Sequence, residues 1–164
     1  MGKYNFEHKK NDYETPPELV KMALDIVKAD KFDCDVCASR PNIPARTFYT
    51  IDCLFSDCEN ELLPYDGLTG EWALLNWCNP PFDECQKWIK KAFKEQQRGS
   101  ETMMLIPVRT ETKYWHDFIL FNKNVKIYWL RKGYGFINPD TGESCGVFKN
   151  ALALVHFTKL HEEK

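Results

Sequence analysis

At 164 residues the chain has room for one domain with a real core and not for two of ordinary size. Hydrophobic residues at 43% and charged residues at 28% are a normal globular balance, and aromatics are high at 14%. A formal charge of −2 supplies no global attraction to nucleic acid, so DNA binding needs a local basic patch. No apolar run approaches the roughly 20 residues of a membrane span. Met1 to Lys10 is polar and lacks the apolar core of a signal peptide. Seven cysteines without such a peptide predict reduced thiols and a cytoplasmic protein.

In chain order, residues 1–12 carry Lys3, His8, Lys9 and Lys10 with little to bury and read as a flexible tail, leaving residues 13–160 as a single domain. Thr15-Pro16-Pro17-Glu18 predicts a helix start, with Thr15 as N-cap, Pro16 first in the helix and Glu18 closing a capping box. Leu19, Ala23, Ile26 and Val27 form its apolar stripe, and the helix should stop near Ala29-Asp30. Phe32 to Ser39 reads as a first strand running into a small-residue loop. Asp35 at such a strand edge reads equally as a turn-former. Cys34-x-x-Cys37 with Cys53 and Cys58 raises a structural zinc site. Strand alternation argues against it, because Cys34 and Cys37 would face opposite sides. No metal site is therefore assigned.

Arg40 to Pro64 reads as a long irregular loop holding Phe48, Tyr49 and Phe55. Asp66-Gly67 follows as a turn. Trp72 to Cys78 reads as a buried strand and Asp83 to Arg98 as a helix capped by Asp83 and ended by Gly99. That helix buries Cys85, Trp88, Ile89, Ala92 and Phe93, and shows a face of Lys87, Lys90, Lys91, Lys94 and Arg98. The basic face is either solvated or part of a phosphate-binding surface. Strands are expected at Thr102–Val108, Val125–Leu130 and Ala151–Phe157, a helix at Tyr114–Phe121, and a turn at Asn138–Gly142. Strands alternating with helices predict an α/β fold with a mostly parallel sheet and an antiparallel strand near the C-terminus.

Between the strand and the helix lies Asn79-Pro80-Pro81-Phe82. Each proline ring fixes φ and removes an N–H, so the loop has few conformations to lose. It can hold the Asn79 side-chain oxygen and a free backbone carbonyl as fixed acceptors, which suit the two donors of an exocyclic amino group. Phe82 can stack on the ring that carries the group. The other reading of the tetrapeptide is a plain Pro-rich turn with a packed Phe.

Asn-Pro-Pro-Phe after a strand resembles the catalytic motif of amino-group methyltransferases. The ordered set is more specific: Glu-Thr-Pro-Pro-Glu-Leu, Phe-Asp-Cys-Asp-Val-Cys-Ala-Ser, Arg46 to Thr50, Asp66-Gly67-Leu68, Asn79 to Phe82 with Trp88, Leu105 to Thr110 and Ala151 to Val155. Together these segments, from about Tyr13 to Phe157, are similar to the small phage-type DNA N-6-adenine methyltransferase family. The segment Ile51 to Leu63 is longer than the family's usual run.

The resemblance implies a Rossmann-like methyltransferase sandwich, S-adenosylmethionine as cofactor and double-stranded DNA as partner, with no membrane. Asn79, Pro80, Pro81 and Phe82 would be catalytic. Thr15, Pro16, Asp35, Cys37, Ala38, Asp66 and Asn79 would surround the cofactor. The target adenine would be flipped from the stack, and the methyl passed directly to nitrogen with no covalent enzyme intermediate. Arg109, Lys126, Arg131, Lys132 and Lys149 are candidates for phosphate contacts, or scattered surface charge. An amino-group methyltransferase of RNA or of a protein glutamine, and a non-catalytic binding module, are the alternatives. The recognised site and the oligomeric state are left open by the sequence.

Overall fold

The computed structural model describes residues 13–50, 61–63, 66–138 and 140–160. The expected tail at residues 1–12 lies outside these, as do Cys53 and Cys58. In chain order the elements are α1 (Pro17–Val27), β1 (Phe32–Asp35), β2 (Ala45–Tyr49), β3 (Glu61–Leu63), β4 (Leu75–Cys78) and α2 (Cys85–Gln97). There follow β5 (Glu101–Pro107), α3 (Lys113–Trp115) continued by a π-helical turn (His116–Leu120), β6 (Val125–Trp129), β7 (Gly135–Ile137), β8 (Ser144–Val147) and β9 (Leu152–Phe157). No helix among them is long and apolar enough to cross a membrane.

One seven-stranded sheet runs in the order β3-β2-β1-β4-β5-β9-β6. The pairs from β3 through β5 are parallel, and β9 lies antiparallel between β5 and β6. This is the expected mostly parallel α/β sheet with its antiparallel strand near the C-terminus. Strand alternation divides the core into two layers. Phe32, Trp77, Met103 and Leu105 face α1, where Leu19, Val20, Ala23 and Leu24 cover them. Cys34, Cys78, Met104 and Ile106 face α2 and the α3 turn, beside Trp88, Ile89, Trp115 and Ile119.

Several element boundaries differ from the sequence reading, each for a local reason. Pro16, not Thr15, is the N-cap of α1, and no side chain caps that end. Of the two prolines Pro17 takes the first helical position, which shifts the start by one residue and frees the Thr15 hydroxyl. The helix ends at Val27, where Lys28 turns left-handed (φ 57°) and its N–H bonds the Leu24 carbonyl. Asp83 does not cap α2; Glu84 holds that position. Gly99, at φ 99°, does end the helix as expected.

The expected strand from Trp72 begins only at Leu75, because the buried Asn76 amide binds both the N–H and the carbonyl of Ala73 and bends the chain there. The stretch read as a long irregular loop contains β2 and β3. Both are short, and β3 is the edge strand of the sheet, so neither shows a long apolar run to betray it. Cys34 and Cys37 do not split between faces, since β1 ends at Asp35 and Cys37 lies in the following turn; both pack on the α2 side. Among the described residues no group of three or more His, Cys, Asp or Glu is arranged to hold a metal ion.

The basic face of α2 is largely paired. Lys91 reaches the buried Glu95 at 2.6 Å, Lys87 reaches Glu84 at 2.8 Å, and Arg98 pairs with Glu71. Glu95 also accepts the Trp72 N–H at 3.2 Å, so one buried carboxylate ties α2 to the chain entering β4. Lys90 and Lys94 are exposed on the same face.

Candidate active site

In a parallel sheet, ligands gather beyond the carboxyl ends of the strands where the order reverses. Here that point lies between β1 and β4. Asp35 pairs in register with Trp77, which sets it beside the strand that delivers Asn79 two residues later. By alternation Asp35 and Trp77 share the sheet face that α1 covers, and Asn79 follows just past the end of β4.

Asp35 is buried at 4% exposure. Its carboxylate accepts the Cys37 N–H at 3.1 Å, the one side-chain bond it makes among the described residues. Burial pushes its pKa up to about 7, and the Cys37 N–H offsets only part of that shift. A buried carboxylate so weakly compensated fits a cationic ligand group. Ala38 is fixed by its N–H on the Tyr49 carbonyl at the end of β2 (3.1 Å). The Asp66 carboxylate accepts the Leu68 N–H at 2.8 Å and its carbonyl accepts Thr69 and Gly70, so the expected Asp-Gly turn is present. Gly67 packs directly on β1: a Cβ there would lie 1.9 Å from the Val36 carbonyl oxygen. Trp72 Nε1 locks the same turn through the Gly67 carbonyl at 2.7 Å.

Asn79 donates through Nδ2 to Thr15 Oγ1 at 3.0 Å. That bond spans 64 residues of sequence and leaves Oδ1 as the acceptor end of the amide. Pro80 is buried, and the Pro81 carbonyl accepts the Glu84 N–H at 3.0 Å. Phe82 meets Phe148 and Phe136 edge to face, with centroids 5.0 and 5.9 Å away. Thr15 is itself held in place. Its neighbour Glu14 exchanges backbone hydrogen bonds with Ile137 of β7 at 2.9 and 3.1 Å, and the Glu14 carboxylate pairs with Arg40. Pro16 is buried beside it.

The nearby thiols are inert. Burial raises Cys34 and Cys85 to about 12 and pushes Cys78 well above the ordinary thiol value, so none of the three is a nucleophile near neutral pH.

Of the candidate DNA contacts, Arg109 follows β5 while Arg131 and Lys132 follow β6, all at the carboxyl edge with Asn79. Lys126 does not join them. It pairs with His156 at the start of β6, the opposite edge of the sheet. The sequence reading missed Glu14, Gly67, Phe136 and Phe148. Gly67 had a signal in its Asp-Gly turn, and Phe136 one in the Gly-Tyr-Gly-Phe run. Glu14 opens the Glu-Thr-Pro segment of the resemblance, but its backbone bridge to Ile137 had no signal there.

A seven-stranded sheet of this order with Asn-Pro-Pro-Phe after β4 is the frame of an amino-group methyltransferase. The DNA N-6-adenine-methyltransferase (Dam) family matches residues 4–164, and the chain belongs to that family. A relative named DNA N-6-adenine-methyltransferase, from Haemophilus phage HP1, is 29% identical over 129 residues, covering 77% of this chain and 67% of the relative. The chain is thus an enzyme that methylates adenine N-6 in DNA and requires a methyl donor.

Proposed function

We propose that residues 13–160 act as a single domain that takes the methyl group from S-adenosylmethionine and passes it to the amino nitrogen of an adenine flipped out of duplex DNA. The observation that carries this reading is the Asn79–Thr15 hydrogen bond, which fixes the amide with its oxygen free to accept. Bound at this edge, the cofactor's sulfonium supplies an electrophilic methyl carbon. The buried Asp35 carboxylate suits the ammonium of the cofactor's methionine end. The turn at Cys37, Ala38, Asp66 and Gly67 lines the path along β1. Thr15 acts on this site by holding Asn79 rather than by capping α1, and Pro16 takes the N-cap position beside it.

Asn79 Oδ1 and the Pro80 carbonyl accept the two hydrogens of the adenine amino group. That turns the nitrogen lone pair out of conjugation and towards the methyl donor. Phe82, braced by Phe136 and Phe148, stacks on the flipped ring. Within the stack the amino group is closed to in-line attack, hence the flip. Catalysis here is position and fixed dipoles, and the protonated thiols take no covalent part. Arg109, Arg131 and Lys132 contact phosphates; Lys126 is set apart from them.

The test is transfer of radiolabelled methyl from S-adenosylmethionine to unmethylated duplex DNA, followed by digestion to nucleosides. Label is expected in N-6-methyldeoxyadenosine. Bound cofactor with no label on DNA would overturn the proposal.

A further inference from the structure

We propose that Trp129 is a stacking platform for an unpaired base, and that the enzyme favours DNA that is unpaired on that side of the target adenine. The inference rests on the function proposed above. Trp129 ends β6 and is 61% exposed, although tryptophan is on average a well-buried residue. Its ring is nevertheless held. It stacks on the fully buried Trp115, with centroids 6.4 Å apart and planes 15° from parallel. The ring is therefore preset before binding, while most of the residue stays open to a ligand.

Strand register places this ring on the edge that carries Asn79. Cys78, Met104, Val155 and Ile127 lie in line across β4, β5, β9 and β6. Asn79 is one residue beyond that line on β4, and Trp129 is two beyond it on β6. Three strand spacings separate them, about 14 Å in all. Each of the intervening strand ends carries an exposed cation: Arg109 after β5, Lys149 before β9, then Arg131 and Lys132 after β6. None of the four forms an ion pair among the described residues. Glu111, exposed in the loop after β5, subtracts one charge from the row. A basic track thus leads from Asn79 to the Trp129 ring.

Cations in a row with an aromatic ring at the end suit a nucleic-acid strand, held by its phosphates and by the face of one base. A protein partner calls for a continuous apolar patch. Beside Trp129, Tyr128 and Leu130 turn into the opposite layer of the core. The exposed Leu74 and Phe121 precede β4 and β6 and so lie at the amino edge of the sheet. Within a regular duplex the faces of each base are covered by its neighbours, so only an unpaired base can lie on the ring. At about 3.4 Å per nucleotide, the track spans about four nucleotides of a stacked strand. DNA already unpaired there saves the cost of opening it.

The test uses the full chain. A duplex library with every sequence context around adenine first gives the methylated site, read by sequencing. That site is then built into duplexes unpaired from about the fourth nucleotide on one side or the other, and binding is followed by fluorescence anisotropy. Unpairing on one side alone should tighten binding about tenfold. Trp129→Ala should lose that gain and Trp129→Phe keep most of it, with cofactor affinity by calorimetry unchanged in both. Lys149→Ala should lower the salt slope of binding by about 1. No gain, an equal gain on both sides, a gain kept in full by Trp129→Ala, or an unchanged slope in Lys149→Ala would overturn the proposal. So would a Trp129→Ala protein that binds DNA like the wild type but sediments as a smaller species, which makes the ring an interface between copies. Wild-type protein that transfers no methyl to any DNA would instead refute the underlying function, a result visible before any variant is made.

Discussion

The Thr15 hydroxyl holds the Asn79 amide through Nδ2, and a methyl in its place leaves Nδ2 without that partner. A neutral hydrogen bond contributes about 1 kcal/mol net. Thr15→Val should thus lower kcat about five- to tenfold while cofactor affinity stays within a few-fold, and Thr15→Ser should recover the rate. Asp35 gives a pH signature. Its folded pKa of about 7 lies above the ordinary 3.8, so the folded state binds more protons than the unfolded one between those values. The Asp35 contribution to stability of the free protein should therefore be fully present below about pH 4, fall as pH rises to about 7 and then level off. Urea unfolding of Asp35→Asn across this range should lack that fall. Cofactor affinity should move the other way, rising about tenfold from pH 6 to pH 8 as the carboxylate ionises, and Asp35→Asn should flatten that rise too. The reactive loop was legible in the sequence because Asn-Pro-Pro-Phe carries its stiffness in its own residues. The role of Thr15 was not, because a helix cap and a distant amide compete for one hydroxyl and only the shift made by Pro17 frees it.

Among the elements, the turn at Asp66–Gly70 and helix α2 share a support that no pattern announced. Glu95 is 2% exposed and holds both Lys91 and the Trp72 N–H. Glu95→Ala would leave a largely buried ammonium and a buried amide unpaired, at a cost of about 3 to 5 kcal/mol read by chemical denaturation. Gly67→Ala must push the turn off the Val36 carbonyl, so both thermal midpoint and cofactor affinity should fall. The long strands β5 and β9 and helix α2 were readable from their apolar runs and stripes. Strands β2 and β3 were not, since runs of five and three residues with charged members look like loop. The β7–β8 hairpin, reduced in the sequence to a turn at Asn138–Gly142, owes its position to the Glu14 backbone and to the packing of Phe136 and Phe148 on Phe82.

At the scale of the molecule, a net charge of −2 is reconciled with a DNA substrate by where the cations lie. Arg109, Arg131 and Lys132 share the carboxyl edge of the sheet with Asn79, whereas much of the α2 basic face is paired internally. Arg109→Ala should weaken duplex binding at all sites and lower the salt slope by about 1, and Lys126→Ala at the far edge should leave both unchanged.

The account turns on Asn79 acting on the adenine amino group rather than on the methyl donor. The most direct measurement is the pair of single-turnover methyl transfer and cofactor affinity for Asn79→Ala beside the wild type. Transfer abolished with affinity kept within a few-fold is the predicted result. Transfer retained near the wild-type rate, or rate and affinity lost in equal measure in a protein that still melts cooperatively, would contradict it.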